Sequence, residues 1–379
     1  MSLQSERFRT NHLLSLLEGY EQQKAPIDFY VSCYFRNHKA LGSKDRAYIS
    51  EEVYRIIRWK LLCDHFVYPD WEERINWMKL GDPKRYLDDE TIPLHVRYSL
   101  PQVLMDEFIA SWGLEKAKAI ALACLEPAPT CIRANLLRTT RDELLQKLVA
   151  QEFNVSAAIE SPTGIYFHKK ENFFCLPEFK DGLFEVQDEG SQHVAQLVMA
   201  RPNNHVLDFC AGSGGKTLAF APNLKGTGQI YLHDIRLHAL HEARKRLKRA
   251  GIQNAQIVPD TDEKKLKKLK KTMDWVLVDA PCTGTGTLRR NPDMKWKYTQ
   301  EMLLRIVSTQ RVIFEQALSY VKPGGHIVYA TCSILQQENR QQLEHFLTHY
   351  PLQLVGEPFE CVPEIGKKDG FFGAVFLKK

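Results

Sequence analysis

The 379-residue chain contains no C-x-x-C pair, and its nine cysteines are an odd number. Neither a disulfide framework nor a zinc ribbon is indicated, and reduced thiols in a cytoplasmic protein fit better. No run of about 18 apolar residues occurs, and the opening MSLQSERFRTNH lacks the apolar centre of a secretory signal, so no membrane partner is expected. There is no internal repeat and no coiled-coil seam, so the expected state is a monomer. Charge of neither sign dominates, with 51 Lys and Arg against 46 Asp and Glu giving +5. What excess there is lies in KRLKR at 245 to 249 and EKKLKKLKK at 263 to 271, which reads either as solvated helix faces or as a surface that tracks phosphates. With 44% hydrophobic residues the chain can bury a large core in more than one domain.

From Ser5 to about Met78 the apolar spacing is helical. Leu13, Leu17 and Tyr20 form one stripe; Ile27, Tyr30, Val31 and Tyr34 a second; Ile49, Val53, Ile56 and Ile57 a third, behind a Ser43 cap. Lys44, Arg46, Arg55 and Arg58 lie opposite the third stripe, as on an RNA-docking helix or on any amphipathic one. Gly81 to Pro93 reads as a linker, followed by helices at about Pro101–Trp112 and Glu115–Leu125. Composition then changes. A strand at Cys131–Asn135, a helix capped by Thr140 and Glu143, and short strands at Ile165–Phe167 and Phe173–Leu176 make a small α+β piece. After Asp181 strands alternate regularly with helices, which predicts an α/β domain with a Rossmann-like, doubly wound parallel sheet. The expected domains are residues 1–80 helical, 81–126 linker and helices, 127–180 α+β, and 181–379 the α/β domain.

DFCAGSGGKT, Asp208 to Thr217, leaves the first strand of that domain and enters a helix. Its glycines at 212, 214 and 215 let the backbone approach a ligand closely, and the spacing is not that of a P-loop. The second strand ends in Asp234, where an acid accepts from ribose hydroxyls, and the third is followed by Asp260, within reach of an adenine. Either acid can instead cap a helix. Together they describe an adenosine-containing cofactor, NAD or S-adenosylmethionine.

VLVDAPCTGTGTLRRNPDMKWK, Val276 to Lys297, begins as a buried strand, ends it on Asp279, and places Cys282 in the loop beyond. YATCS, Tyr329 to Ser333, puts Cys332 beyond the next strand. In a doubly wound sheet these two strand ends are neighbours, so both thiols face one ligand. Hydride transfer needs no thiol pair. Methylation of a pyrimidine at carbon 5 does, because a thiolate must first add at carbon 6, and the adduct must later be broken down. Arg289, Arg290, Lys295, Trp296 and Lys297 then read as phosphate contacts and a stacking surface for RNA.

DFCAGSGGKT, DAPCTGTGTLRRNPDMKW and VYATCSILQQEN resemble three signature motifs of the RsmB/Sun (Fmu) family of RNA cytosine-5 methyltransferases. VQDEGSQ at 186 to 192, DGFFGAVFLKK at 369 to 379 and CIRAN at 131 to 135 are similar to its flanking motifs, the last to the start of its N1 region, and the N-terminal helices resemble the NusB-like domain of bacterial members. The resemblance implies S-adenosylmethionine as cofactor and ribosomal RNA, with 16S foremost, as substrate, transfer RNA being the alternative. It implies Cys332 as nucleophile, Cys282 as the residue that assists adduct breakdown, and Asp279 as a holder of the base at its ring nitrogen. The implied cofactor site is Cys210, Ala211, Gly212, Ser213, Gly214, Gly215, Lys216, Asp234, Asp260 and Asp279. Ser213 stands where the family commonly has proline. Two other readings are open: Pro281–Cys282 mimics the nucleophile of cytosine-5 DNA methyltransferases, which reverses the cysteine roles, and a catalytically inactive RNA-binding factor could share the fold.

Overall fold

A computed structural model describes residues 3–23 and 25–379, which divide into two compact units, Met1–Pro127 with Thr287–Gln300 and Ala128–Gly286 with Glu301–Lys379. None of the helices among the described residues is long and apolar enough to cross a membrane.

The first unit is helical. Helices Leu3–Glu21, Ile27–Asn37, Ser43–Phe66 and Trp71–Lys79 bury the stripes read from the sequence, with Leu13, Leu17, Ile27, Val31, Ile49, Val53, Ile56 and Ile57 in one core. Gly42, not Ser43, occupies the N-cap of the third helix, and no side chain caps it. The expected linker is not one. Pro83 is buried, Tyr86 and Leu87 pack on the same core, and Ile92 is part of it.

The basic loop residues depart further from expectation. Arg289 and Lys295 are fully buried in this helical unit. Arg58, also buried, donates from Nη2 to the Arg289 carbonyl at 2.8 Å, Lys295 Nζ donates to the Arg58 carbonyl at 2.6 Å, and Trp296 Nε1 donates to the Ile57 carbonyl at 3.1 Å. Lys297 Nζ reaches the Tyr20 hydroxyl, the Ala25 carbonyl and the Asp293 carboxylate. Arg58, Arg289 and Lys295 are therefore internal fasteners, and half-buried Trp296 and Lys297 are tied down by partners within this unit, so these residues do not form the open surface for phosphates and bases that was expected. A cation reads the same in sequence whether it faces water or a carbonyl.

The second unit holds two sheets. Strands β1 (Thr130–Ala134), β2 (Val155–Ala157), β3 (Gly164–Phe167) and β4 (Phe184–Val186) form an antiparallel sheet in the order β2-β3-β1-β4. Helix Arg141–Ala150 carries the expected Thr140–Glu143 capping box and packs on this sheet. The strand expected at 173–176 is a 3₁₀ turn, Phe173–Cys175, which delivers Phe173 into the core with Phe167 and Phe184.

The large sheet contains β5 (His205–Asp208), β6 (Gln229–Asp234), β7 (Ala255–Pro259), β8 (Met273–Asp279), β9 (Val321–Thr331), β10 (Leu352–Leu354), β11 (Phe359–Cys361) and β12 (Phe371–Lys378). Its order is β10-β12-β9-β8-β5-β6-β7, with β11 on β12. The five strands β9, β8, β5, β6 and β7 are parallel, as expected. β12 runs antiparallel to β9 and β10, so the sheet is mixed. Both faces of the central strands are buried, with Leu207, Val276, Val278, Ile327 and Tyr329 in one core and Val206, Leu277, Val328 and Ala330 in the other. That two-sided burial is why these strands read as nearly unbroken apolar runs. The lysine run folds as helix Glu263–Leu269, burying Leu269 and leaving Lys264, Lys267 and Lys268 in solvent.

Candidate active site

β8 and β9 pair in parallel with Asp279 opposite Ala330, and the Ala280 amide donates to the Ala330 carbonyl at 2.8 Å. Two residues beyond each member of that last hydrogen bond lie Cys282 and Cys332. Register alone thus brings the two loops together, and the two Sγ atoms stand 3.2 Å apart. Both cysteines are half-buried. The Cys282 thiol is pushed well up by its hydrogen bond to Cys332, then by burial, with the negative charges of Cys332 and Glu338 adding to both. At that separation either sulfur can be the donor.

The C-terminal segment closes on the same loops. The Gly286 amide donates to the Cys332 carbonyl at 2.9 Å, and the Gly370 amide to the Gly286 carbonyl at 2.9 Å. A Cβ at Gly286 would lie 2.2 Å from the Gly370 oxygen and 2.8 Å from the Cys332 oxygen. Gly286→Ala is expected to destabilise the protein by about 1–3 kcal/mol through overpacking, with chemical denaturation as the check.

On the other side of β8 is the glycine loop. Gly212 and Gly214 have φ of +53° and +78°, the left-handed region where a Cβ is strained. The Ala211 amide donates to the His233 carbonyl at 2.9 Å and the Gly212 amide to Asp234 Oδ2 at 2.8 Å, which ties the loop to the end of β6. The Cys210 thiol is pushed up by burial, then by Asp208 and its neighbouring carboxylates. The oxygens of Ser213 both accept from Arg246 Nη1, the hydroxyl at 2.8 Å and the carbonyl at 3.0 Å, and Arg246 also pairs with Glu185 at 3.0 Å. The Gly215 carbonyl accepts from Gln187 Nε2 at 3.3 Å. Buried Lys216 donates to Asp279 Oδ2 at 2.5 Å; burial opposes its charge, but the Asp279 carboxylate prevails and its pKa is raised.

Asp234 is buried, and four donors fill its oxygens: the Gly212 and Arg236 amides and two nitrogens of the Arg236 guanidinium. A carboxylate has about four such acceptor positions. A further hydroxyl could bind Asp234 only by displacing Arg236, whose side chain is 59% exposed. Asp260 is exposed, one residue past Pro259, the register partner of Asp234.

Sequence reasoning passed over Asp208, Arg236, Arg246 and Glu338. Asp208 ends β5 beneath the loop and is pushed up to about 7 by burial; Thr217 Oγ1 donates to its Oδ2 at 2.6 Å while Oδ1 is buried with no partner among the described residues. An orphaned acceptor below a glycine loop, a loop with two left-handed glycines and an acid at each neighbouring strand end fit an adenosyl cofactor.

Fold and site together define a Rossmann-like methyltransferase. A family model described as 16S rRNA methyltransferase RsmB/F matches residues 195–376, and a model of the ferredoxin-like domain of RsmF/B-like methyltransferases matches 100–173. The probable ribosomal RNA small subunit methyltransferase B of a Synechocystis species is 33% identical, over 75% of this chain and 64% of that one. The ribosomal RNA small subunit methyltransferase B of Sodalis glossinidius is 32% identical, over 75% of this chain and 67% of that one. Among solved structures, a methyltransferase homologue from Pyrococcus horikoshii is 27% identical with a TM-score of 0.64, over 75% of this chain and 97% of that one. The chain belongs to the RsmB/F methyltransferase family, whose cofactor is S-adenosylmethionine. It spans about two thirds of the length of these curated relatives.

Proposed function

We propose that the protein methylates carbon 5 of a cytosine in RNA, with small-subunit ribosomal RNA as the substrate its relatives' names favour. The observation that carries this reading is the pair of sulfurs 3.2 Å apart at adjacent strand ends beside Asp279. S-adenosylmethionine, when bound, supplies an electrophilic methyl group. The glycine loop 210–216, Asp234 once Arg236 has moved, Asp260 and Asp279 would hold it.

Cys332 Sγ adds to carbon 6 of the cytosine, and the electron pair of the 5,6 double bond makes carbon 5 nucleophilic. Asp279, oriented by Lys216, holds the base at its ring nitrogen. While Cys332 carries negative charge, Cys282 donates its S–H to it. Once Cys332 is a thioether, both the charge and the strong acceptor are gone, and Cys282, only half-buried, passes its proton to solvent. It then serves as the base that removes the carbon 5 proton, so that the carbon–sulfur bond breaks and the Cys332 thiolate is regenerated. The target base must leave its stack to meet the sulfurs, which favours an unpaired site. Exposed Arg244, Lys245 and Lys248, with the lysines of helix Glu263–Leu269, supply the basic surface that the buried loop residues do not.

Incubation with small-subunit ribosomal RNA and methyl-labelled S-adenosylmethionine, followed by digestion to nucleosides, tests this. Label is expected in 5-methylcytidine. Label on a ring nitrogen or a ribose, or cofactor binding without transfer to RNA, would exclude it.

A further inference from the structure

The proposed reaction uses two sulfurs whose separation is set by two loops, and a buried carboxylate lies beneath both. Glu338, fully buried, follows β9 in the same segment as Cys332. Its Oε1 accepts from the Thr283 amide at 2.9 Å and from Gln310 Nε2 at 3.0 Å. Its Oε2 accepts from the Thr283 hydroxyl at 2.5 Å and from the Ser333 hydroxyl. Thr283 follows Cys282 directly and Ser333 follows Cys332 directly, so one carboxylate grips the residue next to each sulfur. Gln310 Nε2 also reaches the Pro281 carbonyl at 3.0 Å, so the grip extends to the residue before Cys282. The Thr285 hydroxyl links the loops a second time, lying 2.9 Å from Ser333 Oγ and accepting from the Ile334 amide at 3.1 Å. Four donors on a carboxylate with no cation partner among the described residues are an expensive arrangement to bury unless the acceptor has a task.

We propose that Glu338 is a positioning residue that fixes the spacing of Cys282 and Cys332 by clamping Thr283 of one loop and Ser333 of the other on a single carboxylate. It touches neither substrate nor cofactor in this role and acts through the loops. The inference rests on the two-thiol reading for its purpose, but the clamp itself can be tested without RNA.

Diamide removes two electrons and two protons from a pair of thiols, becoming a hydrazine as the sulfur–sulfur bond forms, and the rate reports how often the sulfurs meet. The appearance of the Cys282–Cys332 peptide pair is followed by mass spectrometry in the full chain. Glu338→Ala is expected to slow closure by roughly 10-fold or more, because misplacement by about 1 Å is costly to any reaction between fixed groups. Glu338→Gln, which keeps the shape and an acceptor oxygen, is expected to recover most of the rate. Methyl transfer in Glu338→Ala should lose roughly 100-fold in kcat, with the KM for RNA and the Kd for S-adenosylmethionine unchanged. Closure at the unmutated rate in Glu338→Ala, or no recovery in Glu338→Gln, would overturn the clamp. If Glu338→Ala does not fold, Thr283→Val and Ser333→Ala each remove one hydroxyl, and unaltered closure in both would overturn the clamp equally. An unmutated protein that closes the disulfide but makes no 5-methylcytidine would sink the cytosine reading and leave the clamp standing.

Discussion

Cys282→Ala is expected to remain joined to its RNA. With Cys332 intact the sulfur still adds to carbon 6 and carbon 5 still becomes nucleophilic, but the group placed 3.2 Å away to take the next proton is missing. A covalent protein–RNA species should accumulate, visible as a band that resists denaturant and disappears with nuclease. Cys332→Ala should form no such species and should lose methyl transfer by roughly 1,000-fold or more, the scale on which loss of a nucleophile acts. The reversed assignment, with Cys282 attacking as Pro281–Cys282 suggests when read alone, exchanges the two results. The hydrogen bond to Cys332 and burial both push the Cys282 thiol up, which suits the proposed role of proton holder during the attack.

The second large effect concerns stability. Lys295 is buried in the helical unit, and burial, with like charge from Arg58, pulls its pKa from 10.5 to about 7 against a smaller opposing pull from Cys124. Above about pH 10.5 the amine is neutral in both folded and unfolded chains. Between 7 and 10.5 the unfolded chain binds a proton that the folded one does not, so stability rises with pH at up to about 1.4 kcal/mol per unit. Below 7 the amine is charged in both states, and the cost of burying that charge is present in full. Lys295→Met removes the titrating group and gives up one donor, the 2.6 Å bond to the Arg58 carbonyl. The variant is expected to be more stable than the unmutated chain at pH 6.5, by roughly 1–4 kcal/mol as for other buried charges replaced by apolar groups, and the advantage should shrink steadily towards pH 10. Denaturant unfolding of both proteins at a series of pH values measures the difference, in which the titration of buried cysteines common to both cancels. An advantage that does not change with pH would mean that Lys295 is protonated throughout.

The parts of the fold that were legible in sequence are those in which one residue type at one spacing has one meaning. The helical stripes at Leu13–Leu17 and Ile49–Val53–Ile56 must be buried wherever the helices pack, and two-sided apolar strands such as Val276–Val278 must be interior. Asp279, Cys282 and Cys332 could be placed beside one another because parallel register fixes where strand ends lie, and the register pair Asp279–Ala330 does so here. The meaning of a cation was not legible in this way. Arg58, Lys295 and Lys297 have the composition of a nucleic-acid surface, and only their partners, backbone carbonyls and Asp293, show that the first two are internal and the third is engaged within the helical unit.

Long-range partners account for the other omissions. β12 lacks a neighbouring helix to announce it as a strand of the large sheet, and its place between β9 and β10 depends on pairing with residues far along the chain. Glu338 stood inside a motif already singled out, yet its partners Thr283 and Gln310 lie 55 and 28 residues away. The Ser213 departure likewise finds its explanation in space, since the hydroxyl accepts from Arg246, which Glu185 holds in turn.

The most direct measurement is made on the unmutated protein with RNA in which cytosine carries fluorine at carbon 5. A carbon–fluorine bond cannot release a proton, so the adduct formed by attack at carbon 6 persists after methyl transfer. Digestion and mass spectrometry of the trapped complex identify the sulfur. Nucleotide attached to Cys332 is the predicted result; nucleotide attached to Cys282, or no attachment to either, would contradict the proposed mechanism.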